Sequence, residues 1–322
     1  MSNRSEAPIS LAFLGCGWAT RIHSKTLASF DGKVHRRYAS RDRAKAGAYN
    51  SRFAGAGAYG SYDAAIADPA VGAVVVATPP AHHLGLTVHA LRAGKDVIVE
   101  KPPFLHAADF DAVRRVCAET GRRVFVAENY FYKPLLRTLR ELLASGVVGQ
   151  PLFIQVNALR AQRLEGWRED PAVGGGGALF EGAIHWIDFL ANLGLSIESV
   201  RGFEPHRTGE VDHSMLVVVE YGEGPIATLH YSWEVPSLLR GLRLSRISGT
   251  TGSITFETNG LFVAVTGRHH RFIIPSLTDI AGYRGMWRDF LRALRTDGKP
   301  DMTLDLAERD LKLVESIYAT LG

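Results

Sequence analysis

Short apolar runs alternate with amphipathic stretches over the first 127 residues, and no other pattern in the sequence restricts the possible folds so strongly. The runs have strand length and are apolar at most positions, as expected of strands buried on both faces. They comprise residues 9–14, 34–39, 73–78, 96–100 and 123–127. Helical spacing is clearest over residues 81–93 and 107–120, and Gly121 then provides a helix stop. Strands that alternate with helices predict right-handed βαβ crossovers and a doubly wound parallel sheet.

The pattern changes after Tyr130. One more helix is predicted over residues 134–144, and strand-like runs then follow one another. These runs comprise residues 152–159, 213–221, 226–233, 242–248 and 253–257, with helices predicted over 178–193, 283–295 and 304–320. Successive strands of alternating polarity predict an open, mostly antiparallel sheet. We therefore predict an α/β protein with a doubly wound domain over residues 1–129 and an α+β domain over residues 130–322.

Composition and charge exclude several classes of protein. With 46% hydrophobic and 22% charged residues, a chain of 322 residues can bury a core and is not disordered. No apolar run approaches the roughly 20 residues that span a bilayer. The net charge is +4 and no run of like charges concentrates it, which argues against binding to nucleic acid. We expect a cytoplasmic protein without a secretory leader or a disulfide framework, since Cys16 and Cys117 are its two cysteines. We also expect no metal, because adjacent histidine pairs (His82 with His83, His269 with His270) chelate poorly.

A glycine-rich turn follows the first strand directly. It reads Gly15-Cys16-Gly17-Trp18-Ala19-Thr20, which is the dinucleotide fingerprint with Thr20 in place of its third glycine. The first glycine permits a tight turn, the second lets the backbone approach a pyrophosphate, and the helix N-terminus offers unpaired N–H groups. An ordinary glycine-containing loop is the alternative. The position of the turn, after the first strand of a doubly wound domain, favours a Rossmann dinucleotide site. This site comprises Gly15, Gly17, Trp18, Ala19 and Thr20.

The end of the second strand favours NADP over NAD. That strand ends in Ala39-Ser40-Arg41, where a dinucleotide site usually carries an acidic residue for the ribose hydroxyls. The Ser40 hydroxyl and the Arg41 guanidinium suit a 2′-phosphate instead. Two alternatives stay open: Asp42 could reach the ribose, or the basic residues in this region could simply be solvated. Those residues are Arg36, Arg37, Arg41 and Arg43.

Two further places carry candidate chemistry. Lys101 follows the fifth strand, and a lysine at the carboxyl end of a parallel strand faces the ligand crevice. Glu181 and His185 follow the glycine run at residues 174–177, and on a helix their spacing of four places them on one face. A carboxylate beside an imidazole raises the imidazole's pKa and fixes its orientation, which suits a general acid–base. Taken alone, a surface lysine and a surface pair explain the same residues.

The order and spacing of these motifs resemble those of the glucose-fructose oxidoreductase, inositol dehydrogenase and MocA family of two-domain oxidoreductases, nearly end to end. The remaining motifs are Ala77-Thr78-Pro79-Pro80 with His83, Ala93-Gly94-Lys95, Glu100-Lys101-Pro102, Ala127-Glu128-Asn129, Ser145-Gly146 with Gly149, and Trp167-Arg168. The resemblance implies that Lys101 and His185 carry the substrate chemistry, and that Glu181 replaces the family's usual aspartate. It implies a cofactor site that also includes Thr78, Pro79, His83, Glu100, Lys101 and Asn129. It further implies a homodimer or homotetramer that forms through the free face of the second sheet.

The activity implied is that of an NAD(P)-dependent dehydrogenase or reductase acting on a sugar, sugar derivative or cyclic polyol. His185 would exchange the hydroxyl proton, Lys101 would stabilise charge on the oxygen, and Glu181 would orient His185 or bind a neighbouring hydroxyl. Asp188 lies near the same face but is equally placed to brace the helix. Substrate contacts are expected from a basic, aromatic stretch that a solvated loop explains equally: Arg160, Arg163, Trp167 and Arg168. A nicotinamide-assisted lyase or glycoside hydrolase and a redox-silent NADP-binding sensor stay open as alternatives.

Overall fold

A computed structural model describes residues 7–30, 32–162, 166–206, 209–236 and 242–321 of the chain. It contains a six-stranded sheet and, later in the chain, an eight-stranded sheet. The predicted α/β class is confirmed, and so is the change from a parallel to a mostly antiparallel sheet. Within the described ranges, no helix combines the length and the apolar character that crossing a membrane requires.

The first sheet is parallel throughout. Its strands are β1 (Ile9–Leu14), β2 (Val34–Ala39), β3 (Gly57–Tyr59), β4 (Ala73–Val76), β5 (Asp96–Val99) and β6 (Val124–Val126), in the spatial order β3-β2-β1-β4-β5-β6. The connecting helices are α1 (Trp18–Leu27), α2 (Arg43–Arg52), α3 (Tyr62–Ala67), α4 (His83–Arg92) and α5 (Asp109–Thr120). Every residue of β4 and β5 is buried, as their apolar runs predict. The strand order reverses between β1 and β4, which is where doubly wound sheets bind their ligands.

The second sheet contains one parallel pair among antiparallel neighbours. Its strands are β7 (Pro151–Leu159), β8 (Ile197–Phe203), β9 (Ser214–Tyr221), β10 (Ile226–Ser232), β11 (Leu244–Gly249), β12 (Gly252–Glu257), β13 (Val263–Gly267) and β14 (Arg271–Ile273). Their spatial order is β14-β13-β12-β11-β7-β10-β9-β8, and β7 and β10 run parallel. The helices of this part of the chain are α6 (Pro134–Ala144), α7 (Pro171–Gly174), α8 (Ile184–Ala191), α9 (Tyr283–Thr296) and α10 (Leu304–Ala319).

The two faces of this second sheet differ in their surroundings. On one face, the Tyr221 hydroxyl donates to the Leu190 carbonyl at 3.0 Å and the Phe256 ring lies 6.4 Å from that of Phe189, so α8 covers β9 and β12. On the other face, apolar side chains alternate with the buried ones and are exposed to solvent. They include Phe153, Phe203, Ile226 and Leu244.

The contacts between Cα atoms divide the described chain into two compact units. The first contains the residues up to Glu128 together with Tyr283–Glu308, and the second contains Asn129–Gly282 together with the chain from Arg309 onward. The sequence expectation placed everything after residue 130 in one domain, so the position of α9 differs from it. The cause is packing: Trp287 and Phe290 of α9 are buried against His23 of α1 and Phe125 of β6.

Candidate active site

The turn after β1 has the backbone that a dinucleotide fingerprint requires. Gly15 has φ +109°, and a Cβ built there would lie 2.6 Å from the Ala77 carbonyl oxygen at the end of β4. Only glycine tolerates that conformation and that approach. Thr20, the replacement for the third glycine, is fully buried and its hydroxyl donates to the Gly15 carbonyl at 2.7 Å. The Thr20 side chain therefore braces the turn from inside.

Open space and unfilled donors lie beside this turn. Gly17 precedes α1, and none of the described side chains caps the helix, so the first N–H groups of α1, from Trp18 and Ala19 onward, have no side-chain acceptor in this part of the chain. A Cβ at Gly17 would meet nothing within 4 Å. The buried Thr78 hydroxyl, in the loop after β4, has no hydrogen-bond partner among the described residues. Pro79 is the next residue of that loop. An uncapped helix N-terminus, an open approach and an unpaired hydroxyl fit the pyrophosphate of a dinucleotide.

The loop after β2 uses its acidic residue for capping. The Asp42 carboxylate accepts from the N–H groups of Ala44 and Lys45 at 2.9 and 3.3 Å, and thereby caps α2. The Ser40 hydroxyl accepts from the Asp42 N–H at 3.2 Å. Arg41 is exposed, and it lies near Tyr62: burial raises the pKa of the Tyr62 phenol, and the Arg41 charge lowers it. Arg41 and Asp42 are both exposed, but only the Asp42 carboxylate is engaged in capping a helix.

His83 is buried and acts as a brace between two loops. Its Nδ1 lies 2.9 Å from the Pro102 carbonyl oxygen and its Nε2 lies 2.8 Å from the Thr78 carbonyl oxygen. The ring therefore ties the loop after β4 to the loop after β5, where the Lys101–Pro102 peptide is cis. Burial lowers the pKa of His83, while the two carbonyls and Glu100 oppose this shift. Since the side chain is only 1% exposed, His83 shapes the predicted cofactor site by positioning these loops.

Glu100 is held by a buried chain of hydrogen bonds that sequence reasoning missed. The Trp287 indole N–H donates to His23 Nδ1 at 3.0 Å, and His23 Nε2 contacts the Glu100 carboxylate. An indole only donates, so His23 carries its proton on Nε2 and donates it to Glu100. Burial alone would raise the pKa of Glu100, but His23 and the neighbouring Lys101 outweigh it and hold the pKa below its ordinary value. The other carboxylate oxygen accepts from the Lys101 backbone N–H at 3.2 Å.

In the second unit, a distant aspartate caps the segment that carries Glu181 and His185. The buried Asp212 carboxylate accepts from the Leu179 N–H at 2.7 Å and from the Tyr318 hydroxyl at 2.6 Å. A Cβ at Gly177 would lie 2.1 Å from the Asp212 carbonyl oxygen, which explains a glycine at the end of the run. Burial raises the pKa of Asp212, although these hydrogen bonds oppose the shift.

The predicted helix over residues 178–193 is in fact two segments. Leu179–Ala183 is π-helical and α8 continues from Ile184. Such π turns often occur at functional sites. A Cβ at Gly182 would lie 1.9 Å from the Tyr231 hydroxyl, so this glycine lets the phenol approach the turn. The i, i+4 relation expected between Glu181 and His185 therefore does not have α-helical geometry.

Glu181 forms an ion pair with a predicted substrate residue. Arg168 Nη2 and Nε lie 3.2 and 3.3 Å from Glu181 Oε1, and the Arg168 guanidinium also stacks 4.4 Å from the Trp167 ring. Three predicted residues are thus brought together. Arg160 is exposed at the end of β7, and Arg163 lies outside the described residues.

His185 lies against an aromatic ring that sequence reasoning did not single out. The Tyr130 ring stacks on the His185 ring with a centroid distance of 4.3 Å and an angle of 14°. The buried Lys133 ammonium lies 4.5 Å from the centroid of the same Tyr130 ring. These contacts restrict the orientation of the imidazole. The signal in the sequence was the dense aromatic segment directly after Asn129.

Two other predicted residues are engaged in holding the second unit together. The Asn129 amide donates to the Ala281 carbonyl at 2.6 Å, and the Asp188 carboxylate accepts from the Asn192 amide at 2.8 Å. The bracing role considered for Asp188 is therefore present.

In the described ranges, no group of three or more His, Cys, Asp or Glu side chains could hold a metal ion. Lys101 belongs to the first unit, whereas Glu181 and His185 belong to the second.

Comparisons with known proteins match both parts of the chain. The family model described as "Oxidoreductase family, NAD-binding Rossmann fold" matches residues 9–128, and that described as "GFO/IDH/MocA C-terminal domain" matches residues 136–255. The chain is 28% identical over 204 residues to Oxidoreductase P35 of Formosa agariphila, a match that covers 61% of this chain and 62% of that protein. It is 27% identical over 295 residues to D-xylose 1-dehydrogenase (NADP(+)) 2 of Haloferax volcanii, covering 87% of each. The solved aldose-aldose oxidoreductase of Caulobacter crescentus has the same fold, with a TM-score of 0.85, 23% identity and 97% coverage of both chains.

Proposed function

Since this chain belongs to the glucose-fructose oxidoreductase, inositol dehydrogenase and MocA family of oxidoreductases, we propose that it oxidises or reduces a sugar, sugar derivative or cyclic polyol. The reaction would transfer a hydride between nicotinamide and a carbinol or carbonyl carbon. The observation that carries the proposal is the uncapped N-terminus of α1 beside open space at Gly17. A relative named as a xylose dehydrogenase supports the substrate class.

The cofactor would be held by the turn from Gly15 to Thr20 and by the loop that contains Thr78 and Pro79. When bound, the nicotinamide accepts or supplies the hydride. We propose NADP in preference to NAD, because Arg41 is exposed at the end of β2 while Asp42 is occupied in capping α2. The name of the xylose dehydrogenase relative includes NADP, which agrees with this preference.

The proton chemistry would fall to His185, whose ring is oriented by Tyr130. His185 takes the hydroxyl proton during oxidation and returns it during reduction. Lys101 donates a hydrogen bond to the same oxygen and stabilises its negative charge. Glu181 holds Arg168, so that both groups bind hydroxyls of the substrate next to the Trp167 ring.

The proposed oligomeric state and cellular location depend on the second sheet and on the cysteines. The exposed apolar residues on the open face of the second sheet, among them Phe153 and Leu244, support a homodimer or homotetramer through that face. Both cysteines are free in the structure, which suits the reducing cytoplasm.

The test is a screen of sugars and cyclitols with NADP⁺ and NAD⁺, followed by the absorbance of the reduced nicotinamide. His185→Ala should lower kcat by about 10² to 10⁴ with cofactor binding intact. Arg41→Ala should weaken NADP binding by about 1.5 to 3 kcal/mol and leave NAD binding nearly unchanged.

Bond cleavage without net cofactor change would identify a lyase or glycoside hydrolase, and binding without any turnover would identify a sensor.

A further inference from the structure

Two arginines at the same end of the second sheet have no carboxylate partner among the described residues. Arg243 precedes β11 and Arg160 follows β7, and β7 and β11 are neighbours. Neither guanidinium forms an ion pair with any described residue. Arg243 is half-buried, and its Nε is fully buried without a hydrogen-bond partner in the described part of the chain. Buried cationic groups normally have a counter-ion, since desolvation of an unpaired charge is costly.

The register of the strands places Arg243 on the face that α8 covers. β11 pairs with β7 so that Ile247 lies opposite Ile154, and the same antiparallel register sets Arg243 opposite Ala158. On the other side of β7, Ala158 lies opposite Tyr231 of β10. Arg243, Ala158 and Tyr231 therefore form a row across three strands. Ala158, in the middle of the row, is buried and has the smallest side chain of the three.

Arg243 has no carboxylate within ion-pair distance among the described residues. Burial lowers the pKa of Arg243, and the Arg160 charge lowers it further, whereas Tyr130, Glu257 and Tyr231 raise it. The Glu257 carboxylate accepts from the N–H groups of Asn259, Gly260 and Leu261, and among the described residues it makes no direct ion pair with Arg243. Arg243 Nη2 donates to the neutral Asn259 side chain at 2.7 Å. Two like charges are thus held near each other, which is unfavourable unless an anion joins them.

A third donor of the row is also available. The Tyr231 hydroxyl accepts from Trp233 Nε1 at 3.1 Å, and it donates to no group in the described ranges. Burial raises the pKa of Tyr231, so the phenol stays protonated and able to donate. Three donors at this end of the sheet therefore lack an acceptor among the described residues: Arg243 Nε, the Arg160 guanidinium and the Tyr231 hydroxyl.

The row borders the segment that carries the proposed acid–base group. The Tyr231 hydroxyl lies against Gly182, in the π turn before α8. Tyr130 acts electrostatically on both Arg243 and Tyr231, and its ring stacks on His185. Tyr130 thus influences both Arg243 and Tyr231 and contacts His185 directly.

We propose that Arg243, Arg160 and Tyr231 bind an anionic oxygen group of the substrate, so that this enzyme prefers an acidic sugar to a neutral one. The inference rests on the proposed function and specifies its substrate. A planar guanidinium binds a carboxylate or a phosphate through charge-assisted hydrogen bonds. Both ligand classes share this chemistry, and the experiment separates them.

Binding is measured first, because it does not depend on turnover. The full-length protein saturated with NADP⁺ is titrated calorimetrically with D-glucose, D-glucuronate and D-glucose 6-phosphate. At least one anion should bind about tenfold or more tightly than glucose. Tighter binding of glucuronate identifies a carboxylate site, and tighter binding of the phosphate ester identifies a phosphate site. Equal binding of all three, or binding of glucose alone, overturns the proposal.

Variants locate the anion on the protein. Arg243→Gln and Arg160→Gln should each weaken binding of the preferred anion by about 10- to 100-fold, without changing binding of glucose or NADP⁺. Arg243→Lys should restore part of the affinity, since it keeps the charge. Arg268→Gln, at an exposed site between β13 and β14, removes the same charge elsewhere and should change nothing. A loss for glucose and the anion alike, or a loss of NADP⁺ affinity, contradicts the proposal.

Turnover separates this proposal from the general function. The anion site is refuted if neutral sugars reduce NADP⁺, acidic sugars do not, and Arg243→Gln has the same turnover as the wild type. That result leaves the proposed oxidoreductase activity intact. Specific anion binding that Arg243→Gln abolishes, without turnover of any sugar, keeps the anion site and refutes the proposed reaction.

Discussion

Positions 15 and 17 of the first turn require glycine for different physical reasons. Gly15 has a left-handed φ of +109° and lies so close to Ala77 that any side chain would collide with the backbone. Gly17 has an ordinary extended backbone, with φ −107°, and open space beside it. A side chain at Gly15 therefore strains the protein itself, whereas a side chain at Gly17 obstructs only a ligand.

Gly17→Ala should separate cofactor binding from stability. We expect the free energy of unfolding to stay within about 0.5 kcal/mol of the wild type, because the added methyl group would have no atom of the described residues within 4 Å. The Kd of NADP⁺ should rise about tenfold or more, because the backbone can no longer approach the pyrophosphate. Urea unfolding and fluorescence titration measure the two quantities. An unchanged Kd would show that the turn does not contact the cofactor.

The hydrogen bonds to Glu100 make stability depend on pH. The pKa of Glu100 is lowered in the folded protein, so its carboxylate stabilises the fold above its unfolded pKa. That contribution is lost as the pH falls through the lower, folded pKa. Between pH 7 and pH 3, the free energy of unfolding of the wild type should therefore decrease more than that of Glu100→Gln.

Urea unfolding across this range checks the expected pH dependence of Glu100. Glu119→Gln, at an exposed position of α5, serves as the control and should follow the wild type. Parallel curves for the wild type and Glu100→Gln would show that the Glu100 carboxylate is not stabilised by His23 and Lys101.

The order and spacing of motifs predicted which residues carry the chemistry, but they could not show which other residues position those side chains. Lys101 and His185 were recognised from short motifs whose residues are close in the chain. His23 and Trp287 are 264 residues apart, and their hydrogen bond depends entirely on where α9 packs. Tyr130 is near no motif histidine in the sequence, although its ring stacks on His185. Such partners become visible only when the chain is folded.

At the scale of elements, the π turn before α8 results from contacts with a neighbouring strand and a distant loop. The apolar spacing of residues 178–193 predicts one continuous helix, because periodicity carries no information on what packs against a glycine. Asp212 caps the segment from a loop, and Tyr231 of β10 approaches Gly182. Contacts with Asp212 and with Tyr231 of the second sheet therefore determine the conformation of the turn. The turn in turn determines where Glu181 and His185 lie.

Gly182→Ala should disturb this geometry without unfolding the protein. The added methyl group would collide with the Tyr231 hydroxyl, so either the phenol or the turn must move. We expect kcat/KM to fall by about 10² or more while the Kd of NADP⁺ is unchanged. Gly85→Ala, at an exposed position in α4 with nothing within 4 Å, should keep full activity and gain about 0.5 to 1 kcal/mol of stability. If Gly182→Ala had the kcat/KM of the wild type, the close approach of Tyr231 to the π turn would not be needed for catalysis.

Most longer elements were predicted within one to three residues, and α6 has its predicted bounds. Among the described strands, β3, β8, β13 and β14 were not predicted, and three of these four are short or polar. β3 and β14 contain three residues each, and β8 includes Glu198 and Arg201 within seven residues. Such strands form because a neighbouring strand offers hydrogen-bond partners, and the parallel pairing of β7 with β10 likewise depends on topology.

At the scale of the whole molecule, the proposed oligomer depends on the exposed face of the second sheet. Phe153 is 57% exposed, and its neighbours on that face include Ile226 across the pair of β7 with β10. Apolar side chains that adjoin one another in this way are a liability in water.

Phe153→Lys should shift the protein from the oligomer to the monomer at micromolar concentration, because it places a charge within the apolar face. Light scattering after gel filtration measures the mass. Leu277→Lys changes an apolar residue that is 67% exposed outside the sheet, and it should leave the oligomer intact. A wild-type monomer, or an oligomer that Phe153→Lys does not affect, would contradict the proposed interface.

Hydride transfer itself is tested most directly with a substrate that carries deuterium on the carbon to be oxidised. Mass spectrometry of the reduced cofactor after one turnover should show deuterium on the nicotinamide ring, and His185→Ala should show far slower transfer. Deuterium found in the solvent, or a cofactor that stays oxidised while the substrate is consumed, would show that this protein does not catalyse the proposed oxidation.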